Sequence, residues 1–220
     1  MFVASRMTKH PVSVPSDATI QQADRLMKKY KFHRMLVVDN GKLVGYFSDR
    51  DIMRVAPSPA TTLSKFEIRS LLDKISVRDI MHEKVITVNE SATIEEAALI
   101  MYQNKVGGLP VVSDVGAVVG IITATDILKT FIKVMGLIGG KTRLTLEVDN
   151  KIGVMADITK IFADNGINID SFITCRHKNN RYELVIRLDD SNSLEDVKKL
   201  LDMRGYKVIH SVKIGQSGGD

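Results

Sequence analysis

The sequence predicts an α+β protein in two parts: a duplicated β-α-β-β-α unit whose copies pack as a pseudo-twofold pair, and a smaller C-terminal βαββαβ module. Three observations carry this expectation. The stretch Met7 to Asn40 recurs as Met81 to Asp114 at an offset of 74, and one inserted residue near Val115 makes the offset 75 as far as Ile127. The chain is 220 residues long, so the doubled unit leaves about 80 residues, enough for a second core. That remainder has its own succession of strand-like and helix-like apolar patterns. A duplicated unit usually packs against its copy and presents the same chemistry twice, so two related sites are expected.

Each copy reads in the same order. Pro11 to Val14 and Val85 to Val88 are short strands. Each precedes a helix opening on a capping-box pattern, Thr19-Ile20-Gln21-Gln22 and Thr93-Ile94-Glu95-Glu96, in which the threonine and the residue three positions on satisfy each other's backbone N–H groups. Ile20, Ala23 and Met27 share one face of the first helix, as Ile94, Ala97 and Met101 do in the second. Two strands follow, Met35 to Val38 and Leu43 to Phe47, joined through Asp39-Asn40-Gly41, whose Asn-Gly is a hairpin signal. Their counterparts are Leu109 to Val112 and Val118 to Ile122. A closing helix begins after Asp51 and, longer, after Asp126, where it runs toward Leu137.

Prolines mark Pro57 to Thr62 as a loop before a linking helix from Lys65 to Leu72. Gly139-Gly140 ends the last helix of the doubled unit and forms a hinge. Beyond it come strand, helix, strand, strand, helix and strand: Arg143 to Val148, Val154 to Ala163, Ile167 to Arg176, Tyr182 to Leu188, Leu194 to Met203 and Tyr206 to Ile214. That order is the ferredoxin-like split βαβ unit. The expected boundaries are residues 1–60 and 75–136 for the repeats, 61–74 for the linker, 137–141 for the hinge, 142–214 for the last module and 215–220 for a disordered tail.

Composition narrows the function. Lys and Arg total 31 against 26 Asp and Glu, a net charge of +5, but the signs are interleaved rather than gathered in a stripe. Aromatic residues are 5% with no tryptophan, which leaves few base-stacking platforms, so nucleic acid is not expected as a partner. No apolar run approaches the roughly 18 residues that span a bilayer. One cysteine, Cys175, excludes an internal disulfide and fits a reducing cytoplasm, the expected location. The five histidines, His10, His33, His82, His177 and His210, lack metal-ligand spacing, so no metal is expected. Cys175 and His177 share a strand face as a nucleophile and base would, but no acid nearby in sequence orients them, and no Walker loop or GxGxxG occurs. No catalytic residue and no required cofactor are expected.

The chemistry lies in a motif that recurs at the end of the third strand: Gly45-Tyr46-Phe47-Ser48-Asp49-Arg50-Asp51 and Gly120-Ile121-Ile122-Thr123-Ala124-Thr125-Asp126. A hydroxyl followed three residues later by an acid is also a helix cap. Here the acid is Asp in both copies, and a glycine stands three residues before the hydroxyl each time. A short carboxylate at a helix entrance can hold the two vicinal hydroxyls of a ribose.

The repeat length, the element order, Leu109-Pro110-Val111-Val112 and the Gly-h-h-[Ser/Thr]-x-x-Asp signature resemble a pair of cystathionine-β-synthase (CBS) domains, together a Bateman module. The resemblance implies an adenosine nucleotide such as AMP or ATP as regulatory ligand. It places the ribose on Ser48 and Asp51 in one copy and on Thr123 and Asp126 in the other. It sets the adenine beside Val12 and its repeat partner Ile86. Copy one carries Phe32-His33-Arg34-Met35 where copy two has Val106-Gly107-Gly108-Leu109, and Arg50 becomes Thr125. In nucleotide-sensing relatives such bases hold phosphates, which implies a phosphate-competent site with His33, Arg34 and Arg50, and a weaker second site. Taken alone, His33 and Arg34 also read as ordinary surface residues.

Residues 142 to 214 resemble an ACT domain, through Val148-Asp149-Asn150-Lys151-Ile152-Gly153 and Asn165-Gly166-Ile167-Asn168. The resemblance implies an amino-acid site at a dimer interface, lined by Asp149, Asn150, Gly153 and Asn168. Ile152 stands where the family often has Pro. Asn165-Gly166 also forms a normal helix stop and Asn168 a turn, so a structural or dimerising role stands beside amino-acid sensing. Two CBS copies followed by ACT, with Ser48-Asp49-Arg50-Asp51 followed by Ala56-Pro57-Ser58-Pro59, resemble the bacterial acetoin-utilisation B type. Two functions remain open: a homodimeric ligand-sensing regulator of a metabolic enzyme, and a ligand-silent dimerising scaffold that docks onto such an enzyme.

Overall fold

A computed structural model describes residues 1–57, 62, 64–137, 141–176, 180–189 and 194–213. The core of the proline-marked loop, the Gly139-Gly140 hinge, His177 and the 215–220 tail lie outside these residues. The chain divides into two compact units, Met1–Ile127 and Leu128–Asp220, described in turn.

In the first unit, copy one supplies β2 (Ser13–Val14), α1 (Ile20–Tyr30), β3 (Arg34–Asp39), β4 (Lys42–Ser48) and α2 (Asp49–Val55). Copy two supplies β5 (Val88–Asn89), α4 (Ile94–Asn104), β6 (Gly108–Val112), β7 (Val118–Thr123) and the first turn of α5 (Ala124–Val134), whose remainder is counted with the second unit, and α3 (Lys65–Leu72) lies between the copies. Both capping boxes form as the sequence predicts: Thr19 Oγ1 accepts from Gln22 N at 3.2 Å and Thr93 Oγ1 from Glu96 N at 3.1 Å. The Asn40-Gly41 turn has φ of 51° and 78°, the two left-handed residues that a tight hairpin between right-twisted strands requires. In each copy the leading strand runs parallel to the next, Val14 beside Val37 and Val88 beside Val111, and that strand pairs antiparallel with the third. The leading strands are only two residues long, shorter than expected.

The copies exchange their first residues. Val3, at the chain start, is fully buried among Val88, Ile94, Leu109 and Ile122 of copy two. Val77 is fully buried among Val14, Ile20, Met35 and Phe47 of copy one. Three backbone bonds fix each crossing, and they correspond across the repeat. Val3 N donates to Ala92 O (2.8 Å), Ala4 N to Glu90 O (3.0 Å), and Met1 O accepts from Ile94 N (2.8 Å). Val77 N donates to Ala18 O (2.8 Å), Arg78 N to Ser16 O (2.9 Å), and Ile75 O accepts from Ile20 N (3.0 Å). β1 (Thr8–Lys9) then adds to β7, opposite Ile121 and Gly120, while His82 pairs with Tyr46 of β4. The glycine of the repeated motif sits under each crossing. A Cβ on Gly45 would lie 3.0 Å from His82 O, and one on Gly120 would strike the Met7 side chain and lie 3.0 Å from Thr8 O.

The second unit contains β8 (Thr142–Asp149), α6 (Val154–Asp164), β9 (Ile169–Arg176), β10 (Arg181–Leu188), α7 (Leu194–Met203) and β11 (Val208–Lys213). Its sheet has the order β11-β8-β10-β9 with every pair antiparallel, the ferredoxin-like arrangement that the element order predicts. Leu144, Leu146, Leu184 and Ile186 alternate along the central strands and meet Ile158, Phe162 and Leu201 of the helices in one buried cluster. Burial of each such side chain stabilises by roughly 1.5 to 3 kcal/mol.

Candidate functional site

The pairing register of copy one brings the predicted residues together. Arg34 opens β3 directly opposite Ser48, the last residue of β4. Counting back along the parallel register of β2 places Val12 beside Met35, whose other neighbour is Phe47. The next residues turn into α2, which carries Arg50 and Asp51. His33 precedes Arg34, and its Nδ1 lies 2.8 Å from Asp49 Oδ2; that bond is the main cause holding the Asp49 carboxyl below the usual range. Five of the predicted residues thus sit around one strand-to-helix corner, with Val12 flanking it. In copy two the corner is built alike. Gly108 faces Thr123, and Ile86, 39% exposed, precedes β5 as Val12 precedes β2.

At the first corner Asp51 is only 7% exposed. Its Oδ2 accepts from Ser48 N at 2.9 Å and from Ser48 Oγ at 2.6 Å. Its Oδ1 faces His82 Nε2 at 3.3 Å and Arg54 Nη1 at 3.4 Å. Burial pushes this carboxyl up, but the Ser48 hydroxyl, the Ser48 N–H and His82 together outweigh burial and hold it below the ordinary value. At the second corner Asp126 Oδ2 accepts from Thr123 N at 2.9 Å and Thr123 Oγ1 at 2.7 Å. The repeated Ser/Thr-x-x-Asp motif therefore forms the same hydroxyl–carboxylate pair twice, and in each the pair also caps its helix.

A carboxyl whose folded-state pKa is depressed contributes stability that is present above the unfolded value, about 3.9 for Asp, and is lost as pH falls through the folded value. Relative to an Asp51→Asn variant, the unmodified chain should hold its full advantage above about pH 5 and lose it as the pH falls below the ordinary Asp value. Urea unfolding of both chains at several pH values would measure this.

Two residues of the first corner were not marked by the sequence. Arg54 stands one helical turn beyond Asp51, a spacing that alone could have exposed it; its counterpart, Lys129, keeps the charge. His82 belongs to copy two and reaches Asp51 only through the exchanged leading segment. Its repeat partner is Thr8.

In the second unit, Asp149, Asn150 and Gly153 line a cavity of about 220 Å³ with Lys151, Val154 and Tyr182. Gly153 has φ of +90° where the chain enters α6, a conformation glycine adopts without strain. Asn168 lies elsewhere. Its Nδ2 donates to Asp189 Oδ2 at 2.8 Å, and Asp189 is also paired with Lys141. Within one chain Asn168 and the 149–153 loop stand at opposite ends of the eight-residue β10. Cys175 is exposed on β9. Among the described residues no three His, Cys, Asp or Glu side chains converge as a metal site would need, and no helix is long and apolar enough to cross a membrane.

Comparison with known proteins adds the following. The model of the CBS domain matches residues 3–58 and 77–133, and that of the ACT domain matches residues 142–202. A CBS domain-containing protein of Dictyostelium discoideum is 32% identical over 136 residues, which cover 61% of this chain and 94% of that protein. Among solved structures, one described as a putative acetoin utilization protein (AcuB) from Vibrio cholerae superposes with a TM-score of 0.51 at 31% identity. That match covers 62% of this chain and 94% of that one. CBSX2, a protein of Arabidopsis thaliana, in complex with AMP gives a TM-score of 0.50 at 25% identity, over 60% of this chain and 97% of that one.

Proposed function

Because the chain belongs to the CBS-domain family, with two CBS domains followed by an ACT domain, we propose that it is a non-catalytic regulator that senses an adenosine nucleotide of the AMP or ATP class. The observation that carries this reading is the twice-built hydroxyl–carboxylate pair, Ser48 with Asp51 and Thr123 with Asp126, at matching strand-to-helix corners. Each carboxylate accepts two bonds on Oδ2, which directs a ribose hydroxyl to Oδ1, an oxygen that in Asp51 is met by the longer contacts of His82 and Arg54, and Val12 and Ile86 flank the corners as an apolar slot for adenine. The AMP complex of the similar CBSX2 supports the ligand class. His33, Arg34 and Arg50 make the first site the one for phosphate. Gly107, Gly108 and Thr125 leave the second site without these bases.

The ACT domain is the output or a second input. Asp149, Asn150 and Gly153 form one wall of an amino-acid site, and a homodimer would bring Asn168 of another copy to complete it. The regulated partner is a metabolic enzyme, and the likeness to the Vibrio cholerae protein favours one of acetoin utilisation. A cytoplasmic location fits the single cysteine.

Thermal-shift and calorimetric titration with AMP, ATP, NAD, S-adenosylmethionine, cyclic dinucleotides and amino acids tests the reading. A ligand that binds only the native state stabilises it by RT ln(1 + [L]/Kd), about 2.7 kcal/mol at a hundredfold excess over Kd. AMP or ATP is expected to raise the melting temperature by several degrees. No shift with any of these at millimolar concentration would favour the ligand-silent scaffold, in which the two aspartates serve only as caps.

A further inference from the structure

We propose, resting on the adenosine reading above, that His82 is a ligand-binding residue of the first site: a donor to the ribose, supplied by the second repeat to the first. Asp51 Oδ2 is filled by two bonds from Ser48, so a ribose hydroxyl donating to this carboxylate must approach Oδ1. His82 Nε2 stands 3.3 Å from that oxygen and Arg54 Nη1 stands 3.4 Å from it. Both separations exceed the roughly 2.7 to 2.9 Å of a tight charge-assisted bond. The His82 side chain is 48% exposed, so a small rotation admits a hydroxyl that donates to Oδ1 and accepts from Nε2–H.

The rest of His82 is fixed. Its N–H donates to Tyr46 O at 2.8 Å and its carbonyl accepts from Tyr46 N at 3.1 Å. Its ring lies beside the Tyr46 ring, with centroids 5.2 Å apart. The imidazole is thus held near the carboxylate before any ligand arrives, which lowers the ordering cost of using it. At the second corner the same crossing presents Thr8 opposite Ile121, a shorter side chain without a ring nitrogen. A nucleotide in the first site would therefore touch both repeats.

The test uses the full chain carrying Asp126→Ala, so that the first site is read alone, and compares His82→Ala, His82→Thr and His82→Gln by calorimetry. The probes are AMP and its 2′,3′-dideoxy analogue, which lacks both ribose hydroxyls. His82→Ala and His82→Thr are expected to weaken AMP about tenfold, and His82→Gln, which keeps an N–H near the Nε2 position, to recover most of it. Affinity for the dideoxy analogue should stay the same in all four chains. An unchanged AMP affinity in His82→Ala overturns the proposal, as does an equal loss for both probes. Absence of AMP binding by the chain with His82 intact overturns the adenosine reading and this inference together, and so separates the two failures.

Discussion

Replacing Asp51 by alanine is expected to weaken AMP binding at the first site by roughly 10- to 100-fold, the range set by losing a hydrogen bond to a charged group, about 1.5 to 3 kcal/mol. Asp126→Ala should remove the second site's binding, and that site should be the weaker in the unmodified chain. The reason is local. On the proposed reading Arg34 and Arg50, with His33 beside them, would meet a phosphate at the first corner, whereas the second corner has Gly107, Gly108 and Thr125. Calorimetry of the two single variants reads each site separately. Equal nucleotide affinities in the two variants would contradict the asymmetry. Asp51→Ala also removes a helix cap, costing about 1 kcal/mol, so its melting temperature should be measured alongside to keep stability and binding apart.

The second large effect concerns Gly120. Valine there would drive two methyl groups and a Cβ into Met7 and toward the Thr8 carbonyl, where even a Cβ alone is crowded. Met7 can rotate away, but the Thr8 backbone is bonded to β7 and moves only if the crossing strand lifts. Overpacking of this kind costs about 3 kcal/mol at the upper end of its usual range. Gly120→Val is expected to lower the stability of the first unit by about that amount in urea unfolding. A change below about 0.5 kcal/mol would mean that the crossing strand is not held as described.

Much of this was legible in the sequence because the signals are local. Thr19 with Gln22 and Thr93 with Glu96 form boxes whose partners are three residues apart, and Asn40-Gly41 forms a turn by its own conformational preference. The 74-residue repeat announced two corners, and Ser48 with Asp51 and Thr123 with Asp126 close them. The exchange of leading segments was not legible. It depends on backbone pairings such as Val3 with Ala92, across nearly ninety residues, and such bonds leave no mark on side-chain periodicity. The trace they did leave was a glycine, Gly45 or Gly120, at the same place in both copies, whose cause became visible only as the close approach of another strand. His82 was hidden for the same reason. Asn168 and the 149–153 loop, expected in one site at a dimer interface, stand at opposite ends of β10 within one chain because α6 between them carries the chain back along the sheet.

The exchanged leading segments also bear on how the protein is made. Met1 to Lys9 are synthesised well before their pairing partners, which lie between Glu90 and Ile121. Copy one likewise lacks the wall supplied by Val77 and Met81 until those residues emerge. Copy one can close only once residues 75–82 have emerged, and copy two only once β7 meets the waiting leading segment, so each closure relies on contacts of long sequence separation, the class that folds slowly. Until then Val3 and Met7 wait without their partners, exposed to chaperones and to other nascent chains.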